Sequence, residues 1–317
     1  MKILFTNAGR RTYMITFALA ANSTHNPITV YVADPAEDVP TKHLSPDTIA
    51  ISTPRVDEGG AVFAKSVLQI AKENNINLVI PLSDLELLPL AEHKKYFEAN
   101  GIKLLVSNKD VIINTMNKRN ADIFCNHHNI PTPKSFYSQK DFNGIQPCVI
   151  KPIVGSGSNR LRFVDESSGN IEFDRDIDMI QERIFGDEFG IDILNDFSGD
   201  FITATVKRKI LMRAGETDRS LIVQMPELVT LAKKVSEAFR HIGNLDVDVI
   251  VDAKDNPYCI DFNARFGGGY PTTHLSGMNY LGALIDMARG KPFIFPETPR
   301  DVTVVKGVSV HVIEKQQ

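Results

Sequence analysis

Short β-branched runs alternate with helix-period segments through residues 1–110, and this rhythm constrains the chain more than any single motif. Strand candidates are Lys2 to Thr6, Ile28 to Asp34, Thr48 to Ser52, Leu78 to Leu82 and Ile102 to Val106. Between them Phe63, Val67, Ile70 and Ala71 recur at helical spacing, as do Leu85, Leu88 and the residues towards Phe97. Such alternation argues an α/β fold with an open parallel sheet covered on both faces, and ligands at the carboxyl ends of its strands. From about Asn108 the texture changes. A helix is expected to run to His128, where Pro131 and Pro133 end it, and strand-like pieces rich in Gly and Asp follow. A second helix is expected from Pro226 to a stop at Gly243, before strands over Asp246 to Val251 and Pro257 to Phe262.

Composition then removes whole classes of function. The 35 Lys and Arg against 39 Asp and Glu give a net charge of −4. No general basic field awaits nucleic acid or an anionic bilayer, so neither is expected as a partner, and any anion must be bound locally. At 317 residues, 43% hydrophobic, the chain suffices for about two globular domains. Cys125, Cys148 and Cys259 lack C-x-x-C spacing and are too few for a disulfide framework, which points to a reducing cytoplasm. The opening MKILFTNAGRRTYMITFALAA imitates a secretory leader with its Arg pair and Ala18-Leu19-Ala20. Thr12, Tyr13 and Thr16 interrupt it, and the apolar run Ile3 to Phe5 precedes the arginines, so the order reads as strand, turn, helix. No run approaches the ~18 apolar residues of a membrane span.

Two constellations carry chemistry. In C-V-I-K-P-I-V-G-S-G-S-N a β-run delivers Lys151, Pro152 locks the exit, and the loop Gly155-Ser156-Gly157-Ser158 follows. Bare glycine backbone approaches a phosphate closely and aims N–H groups at it, while lysine adds a compact positive charge. The lysine precedes the glycines, so the order is not that of a P-loop. By itself the stretch fits a phosphate loop and a flexible hairpin with a surface lysine equally well. In I-D-F-N-A-R-F-G-G-G the strand period of two puts Asp261, Asn263 and Arg265 on one face. A carboxylate oxygen, an amide oxygen and a guanidinium together suit Mg²⁺ and a polyphosphate. The preceding strand offers Asp246, Asp248 and Asp252, again of one parity, and a hairpin can set one or more opposite Asp261. An ordinary solvated strand face is the alternative, disfavoured by three acids in phase opposite Asp-x-Asn-x-Arg.

Taken in order, these pieces resemble the ATP-grasp superfamily, most closely its carbamoyl-phosphate-synthetase-like stand-alone carboxylate–amine ligases. The likeness covers nearly the whole chain: N-A-G-R-R, I-P-L-S-D-L-E and N-K-R-N, then K-P-I-V-G-S-G, Q-E-R-I-F-G-D-E-F, K-R-K-I-L-M-R-A-G-E-T and D-F-N-A-R-F-G-G-G. The resemblance implies a pre-ATP-grasp α/β domain over residues 1–110 and an α+β ATP-grasp domain over 111–317, with a mobile lid at about 131–180. It implies Lys118 and Lys151 on the ATP phosphates under a cover of Gly155, Ser156, Gly157 and Ser158. Gln181 to Ile184 would be the adenine hinge, through Glu182 and the backbone of Arg183 and Ile184, with Glu188 on the ribose hydroxyls. Asp261 and Asn263 match the ligands of Mg²⁺ or Mn²⁺, and Arg265 the phosphate-binding arginine that acts with Lys151 in catalysis. The family usually has Glu where this chain has Asp261, a side chain longer by one methylene. Strand phase and spacing favour Asp248 as the second metal acid, with Asp246 competing.

The implied chemistry is transfer of the ATP γ-phosphate to a small-molecule carboxylate and attack of an amine on the acyl phosphate, giving an amide, ADP and phosphate. Arg10 and Arg11 follow Gly9 at a strand-to-helix turn, where two guanidiniums can hold an anion or merely flank a capped helix. Ser83 or Asp84 reads as an N-cap, with Glu86 a candidate for a substrate amine. By resemblance Arg208, Arg213 and Glu216 face the acceptor pocket, while Lys207, Lys209 and Arg219 read as solvated. His127-His128 reads as a helix end and His274 as structural. Two other classes compete. A dinucleotide-dependent oxidoreductase would need the G-x-G-x-x-G that is missing before Asp34, and a catalytically silent ATP-binding regulator is disfavoured by the complete set Lys118, Lys151, Asp261, Asn263 and Arg265. Oligomeric state stays open.

Overall fold

The computed structural model describes residues 1–137, 142, 147–155, 160–164, 173–213, 215–310 and 312–313. Strands β1 (Lys2–Thr6), β2 (Thr29–Asp34), β3 (Thr48–Ser52), β4 (Leu78–Pro81) and β5 (Lys103–Leu104) form a parallel sheet in the order β3-β2-β1-β4-β5. Only two residues of the expected run Ile102 to Val106 belong to β5, because the chain bends where the Val106 N–H donates to the Leu104 carbonyl at 2.9 Å. Helices α1 (Thr12–Ala20), α2 (Gly60–Glu73) and α3 (Asp84–Ala99) connect the strands. The buried stripe of α2 is Phe63, Ala64, Val67, Ile70 and Ala71, the period read from the sequence. The order leaves β1 in one direction and β4 in the other, so the crevice beyond their carboxyl ends is the topological switch point. Asn7 to Arg11 and Leu82 to Glu86 emerge there.

The single helix expected from Asn108 to His128 is two, α4 (Lys109–Met116) and α5 (Lys118–His127). Asn117 is extended between them, and its side-chain oxygen accepts the Arg119 and Asn120 N–H groups at 3.0 and 3.1 Å, capping α5. The break places Lys118 in the first turn of α5, its N–H donating to the Ile153 carbonyl at 2.8 Å. Strands β6 (Ser135–Phe136), β7 (Cys148–Pro152), β8 (Arg162–Val164) and β9 (Asp178–Glu182) make an antiparallel sheet ordered β6-β9-β7-β8, with its own small core of Phe136, Phe142, Cys148, Ile150 and Ile180.

The third sheet, ordered β14-β13-β10-β11-β12-β15, holds β10 (Gly186–Asn195), β11 (Phe201–Arg213), β12 (Glu216–Ile222), β13 (Gly243–Asp252), β14 (Pro257–Asn263) and β15 (Thr303–Val305). Helix α6 (Pro226–Phe239) packs on it through Leu228, Leu231, Ala232, Val235 and Phe239. The stop of α6 is Arg240 in the left-handed region at φ 48°, not Gly243, because the Arg240 guanidinium is tied to Asp200 at 2.9 Å and the Ser198 carbonyl at 3.1 Å. Short helices α7 (Tyr270–Leu275) and α8 (Tyr280–Ala288) lie between β14 and β15. Leu4, Phe63 and Val79 share one core with Ile191, Phe239 and Val247, so the parallel-sheet layer and the antiparallel sheet are continuous. Among the described residues no helix is long and apolar enough to cross a membrane.

Candidate functional site

Residues paired across antiparallel strands present their side chains on the same face. Asp246 lies opposite both Asp192 and Asn263, Asp248 opposite Gly190 and Asp261, and Lys207 opposite Gly190. One face of β10, β11, β13 and β14 therefore gathers Glu188, Asp192, Lys207, Lys209, Asp246, Asp248, Asp261 and Asn263. Towards its outer end the Lys209 Nζ sits 2.8 Å from Glu188 and 2.7 Å from Asp248. The Lys118 Nζ lies 3.4 Å from Asp261 and donates to the Gly155 carbonyl at 2.7 Å. From β7 the Lys151 Nζ donates to the Ile260 carbonyl at 3.0 Å, and Lys118, Lys151, Asp122, Gln181 and Asp261 line one small cavity. Arg265 pairs with Asp84 from the start of α3 and donates to the Asn263 amide oxygen at 3.2 Å.

Burial sets the electrostatics. Desolvation pushes the Asp248 carboxyl up to about 7; Lys209 opposes the rise, while Asp246, Asp261 and Glu188 add to it. Desolvation brings Lys151 down to about 8, partly offset by Asp261. For Lys209 burial alone would lower the pKa, but Asp248 and Glu188 overcome it and hold the amine charged. Asp84 likewise outweighs desolvation at Arg265. Acids crowded until one resists ionisation suit a divalent cation. Among the described residues no three acidic, His or Cys side chains converge in metal-binding geometry. The register instead supplies two carboxylates, Asp248 and Asp261, beside the Asn263 amide oxygen, which matches Mg²⁺, an ion that takes one or two carboxylates and completes its shell with phosphate and water.

Several expectations need correcting. Lys207 and Lys209 are buried on the site face rather than solvated. Arg208, between them, points the other way, opposite Phe189, and makes an exposed pair with Asp187, so it does not line the site. Arg213 lies exposed at the end of β11, paired with Asp218 at 3.1 Å. Glu86 is fully buried and accepts from the Leu82 and Ser83 N–H groups at 2.9 and 3.0 Å and from Asn7 at 2.8 Å, so it locks the start of α3 and is closed to a substrate amine. Lys151 stands on the expected strand, β7, and is buried rather than a surface lysine on a hairpin. Glu182 ends β9, and Arg183 and Ile184 form the link to β10, but the Arg183 N–H is already donated to the Pro147 carbonyl at 3.1 Å. Glu188 stands on β10 against Lys209. Ser156, Gly157 and Ser158 lie outside the described residues. Arg10 is exposed and 3.8 Å from Glu216, whereas Arg11 reaches into the crevice. His274 stacks on Phe17 with ring centroids 3.6 Å apart, a packing contact.

Sequence reasoning missed Asp84, Asp192, Lys207 and Lys209. A signal for the lysines was present: on a strand, Lys207 and Lys209 share one parity and Arg208 has the other.

The ATP-grasp domain family matches residues 115–269, and the PylC-like, N-terminal domain family matches residues 3–105. The chain belongs to the ATP-grasp superfamily. Neither family model points to the dinucleotide-dependent oxidoreductase. An N5-carboxyaminoimidazole ribonucleotide synthetase in its ADP complex is 15% identical over 96% of this chain and 81% of its own, with a TM-score of 0.74. Biotin carboxylase from Campylobacter jejuni is 14% identical over 95% and 73%, at 0.73. L-amino acid ligase from Bacillus licheniformis is 19% identical over 90% and 73%, at 0.64. At these identities the likeness establishes the fold. No curated protein sequence matches the chain.

Proposed function

We propose that this chain joins a small carboxylic acid to an amine, using ATP and Mg²⁺, and releases ADP and phosphate. The observation that carries the reading is the pairing of Asp248 with Asp261, with Lys118 on Asp261, Lys151 at the neighbouring Ile260 carbonyl and Arg265 on Asn263. Oxygen donors and cations meet there as a triphosphate and its metal require. Similar structures carry ADP or an ATP ligand, which supports a nucleotide here; by the family resemblance adenine would lie at the Glu182 to Ile184 link and the ribose hydroxyls at Glu188, with Gly155 to Ser158 over the phosphates. Mg²⁺, or Mn²⁺, held by Asp248, Asp261 and Asn263, supplies charge neutralisation on the phosphate oxygens.

Lys118 and Lys151 hold the phosphates, and Arg265 neutralises charge as the γ-phosphoryl group moves. A substrate carboxylate oxygen forms the new O–P bond while the bond from the γ-phosphorus to the bridging oxygen breaks, and ADP leaves. The amine attacks the acyl carbon, phosphate departs, and the amine gives up its proton. Hydroxide is a poor leaving group and phosphate a good one, which is why ATP is consumed. The same proposal carries the division into residues 1–110 and 111–317 with a lid at about 131–180, and a reducing cytoplasmic setting in keeping with three buried free thiols.

The test incubates the protein with ATP, Mg²⁺ and a panel of amino acids and small or sugar carboxylates. The expected result is ADP and phosphate in step with a new amide. AMP and pyrophosphate as stoichiometric products would overturn the mechanism.

A further inference from the structure

The crevice at the switch point holds side chains that the phosphoryl transfer above does not use. Arg11, the residue before α1, donates to the Phe266 carbonyl at 2.7 Å, and Arg265 donates to that same oxygen at 3.1 Å, so the two guanidiniums are neighbours. Their surroundings differ. Asp84 neutralises Arg265, and Glu216 is shared by Lys306 at 3.4 Å and Arg10 at 3.8 Å. Among the described residues no carboxylate lies within ion-pair distance of Arg11, whose only bonded partner is a neutral carbonyl. Burial and the nearby Arg265 both hold its pKa down. Burying a cation is costly, and Glu216 and Asp84 act on Arg11 only from beyond ion-pair distance and offset part of that cost.

At the second residue of α1, the Tyr13 hydroxyl is buried and makes no hydrogen bond, and the Arg265 Nε is buried and unpartnered as well. Buried polar groups rarely stay unpaired. The phenol ring is held in place, with the Lys306 Nζ 5.4 Å from its centroid and the Phe17 ring 6.2 Å away. Lys306 follows β15, so the chain after that strand closes over the first helix. Burial pushes the phenol up to about 12, so at neutral pH the hydroxyl is a donor.

We propose that Arg11 and Tyr13 bind a carboxylate group of the substrate, beside Arg265. A carboxylate offers acceptors only, the complement of a guanidinium edge and a hydroxyl donor. A single carboxylate matches the one guanidinium here that has no carboxylate within ion-pair distance. The inference rests on the ligase reading and assigns its organic substrate a position: across the crevice from Asp261, against the first turn of α1.

Acetate and succinate serve as probes, titrated calorimetrically into the full chain saturated with Mg²⁺ and a non-hydrolysable ATP analogue. The Tyr13→Phe variant should bind both about tenfold more weakly, the fold-change expected of one hydrogen bond to a charged group. It should melt no lower than wild type, since the lost hydroxyl had no partner in the free protein. Arg11→Gln should weaken the probes by about tenfold or more, and analogue affinity should stay within about twofold in both variants. Unchanged probe affinity in Tyr13→Phe, no probe binding by wild type, or a lower melting temperature for Tyr13→Phe would overturn the assignment. Failure of wild type to bind the analogue would instead sink the ligase reading, and the probe titration without nucleotide would still decide the Arg11–Tyr13 site.

Discussion

The inner and outer halves of one sheet face carry the same kinds of residue to opposite ends. In the inner half Lys207 is bonded to Asp192 and 3.6 Å from Asp246, with both Lys207 and Asp192 fully buried. Asp192 also accepts from Thr273 and from Asn244 at 3.3 Å. A Cβ on Gly269 would lie 2.5 Å from the Lys207 Cε, and one on Gly267 2.1 Å from an Asp246 oxygen, so the glycine run after β14 packs over this pair because it has no side chains. Two residues further along β11, Lys209 meets Glu188 and Asp248, which are 37% and 20% exposed. The composition matches that of the inner half, but one side stays open. A closed ion network specifies the fold; an open one of the same composition has room for a metal and phosphates.

Lys207→Met should separate the halves most sharply. Leaving Asp192 buried without its cation costs about 3–5 kcal/mol, read as a lowered urea midpoint, and equal stability would break the comparison. Lys151→Met should instead reduce turnover by about 10²–10³-fold, the scale for losing one preorganised group on developing charge. The fold should hold. With the pKa lowered from 10.5 to about 8, the unfolded state holds more protons between those values, so this group makes stability rise with pH there. The methionine variant should lose that rise in urea titrations.

Asp248→Asn should abolish Mg²⁺-dependent turnover yet leave the metal-free protein as stable or more stable at pH 7. Its folded pKa of about 7 lies above the ordinary aspartate value of 3.8, so the native state binds more protons in that window and stability falls as pH rises through it. The asparagine variant should flatten that slope. A destabilisation matching Lys207→Met would erase the distinction between the halves.

Two smaller effects sharpen it. If Lys151 must be charged to receive ATP, kcat/KM for ATP should decline above pH about 8 in wild type. Arg208→Ala, on the reverse face, should change turnover by less than about twofold and stability by under about 1 kcal/mol, as for any exposed pair. A large loss in turnover would return Arg208 to the acceptor pocket.

The parallel sheet, the helix α6 stripe and the one-sided run Asp246, Asp248, Asp261, Asn263 were legible because period two and period 3.6 are written directly in residue order. Glu86 was misread because a carboxylate at a strand end looks alike whether it caps its own helix or waits for a substrate. The α4–α5 break was missed because Asn117 acts through its side chain on the next turn, without a glycine or proline to mark it.

Residue order alone thus determined the alternating architecture, the glycine-flanked lysine and the order of the motifs, all of which depend on neighbours within a few positions. Tertiary structure decided which acids meet which lysines, that Arg265 is anchored by Asp84 from the start of α3, and that Lys306 closes over Tyr13. Those pairings span many residues and depend on strand register and on desolvation. A charge's cost or use is set by what surrounds it after folding, which no local pattern records.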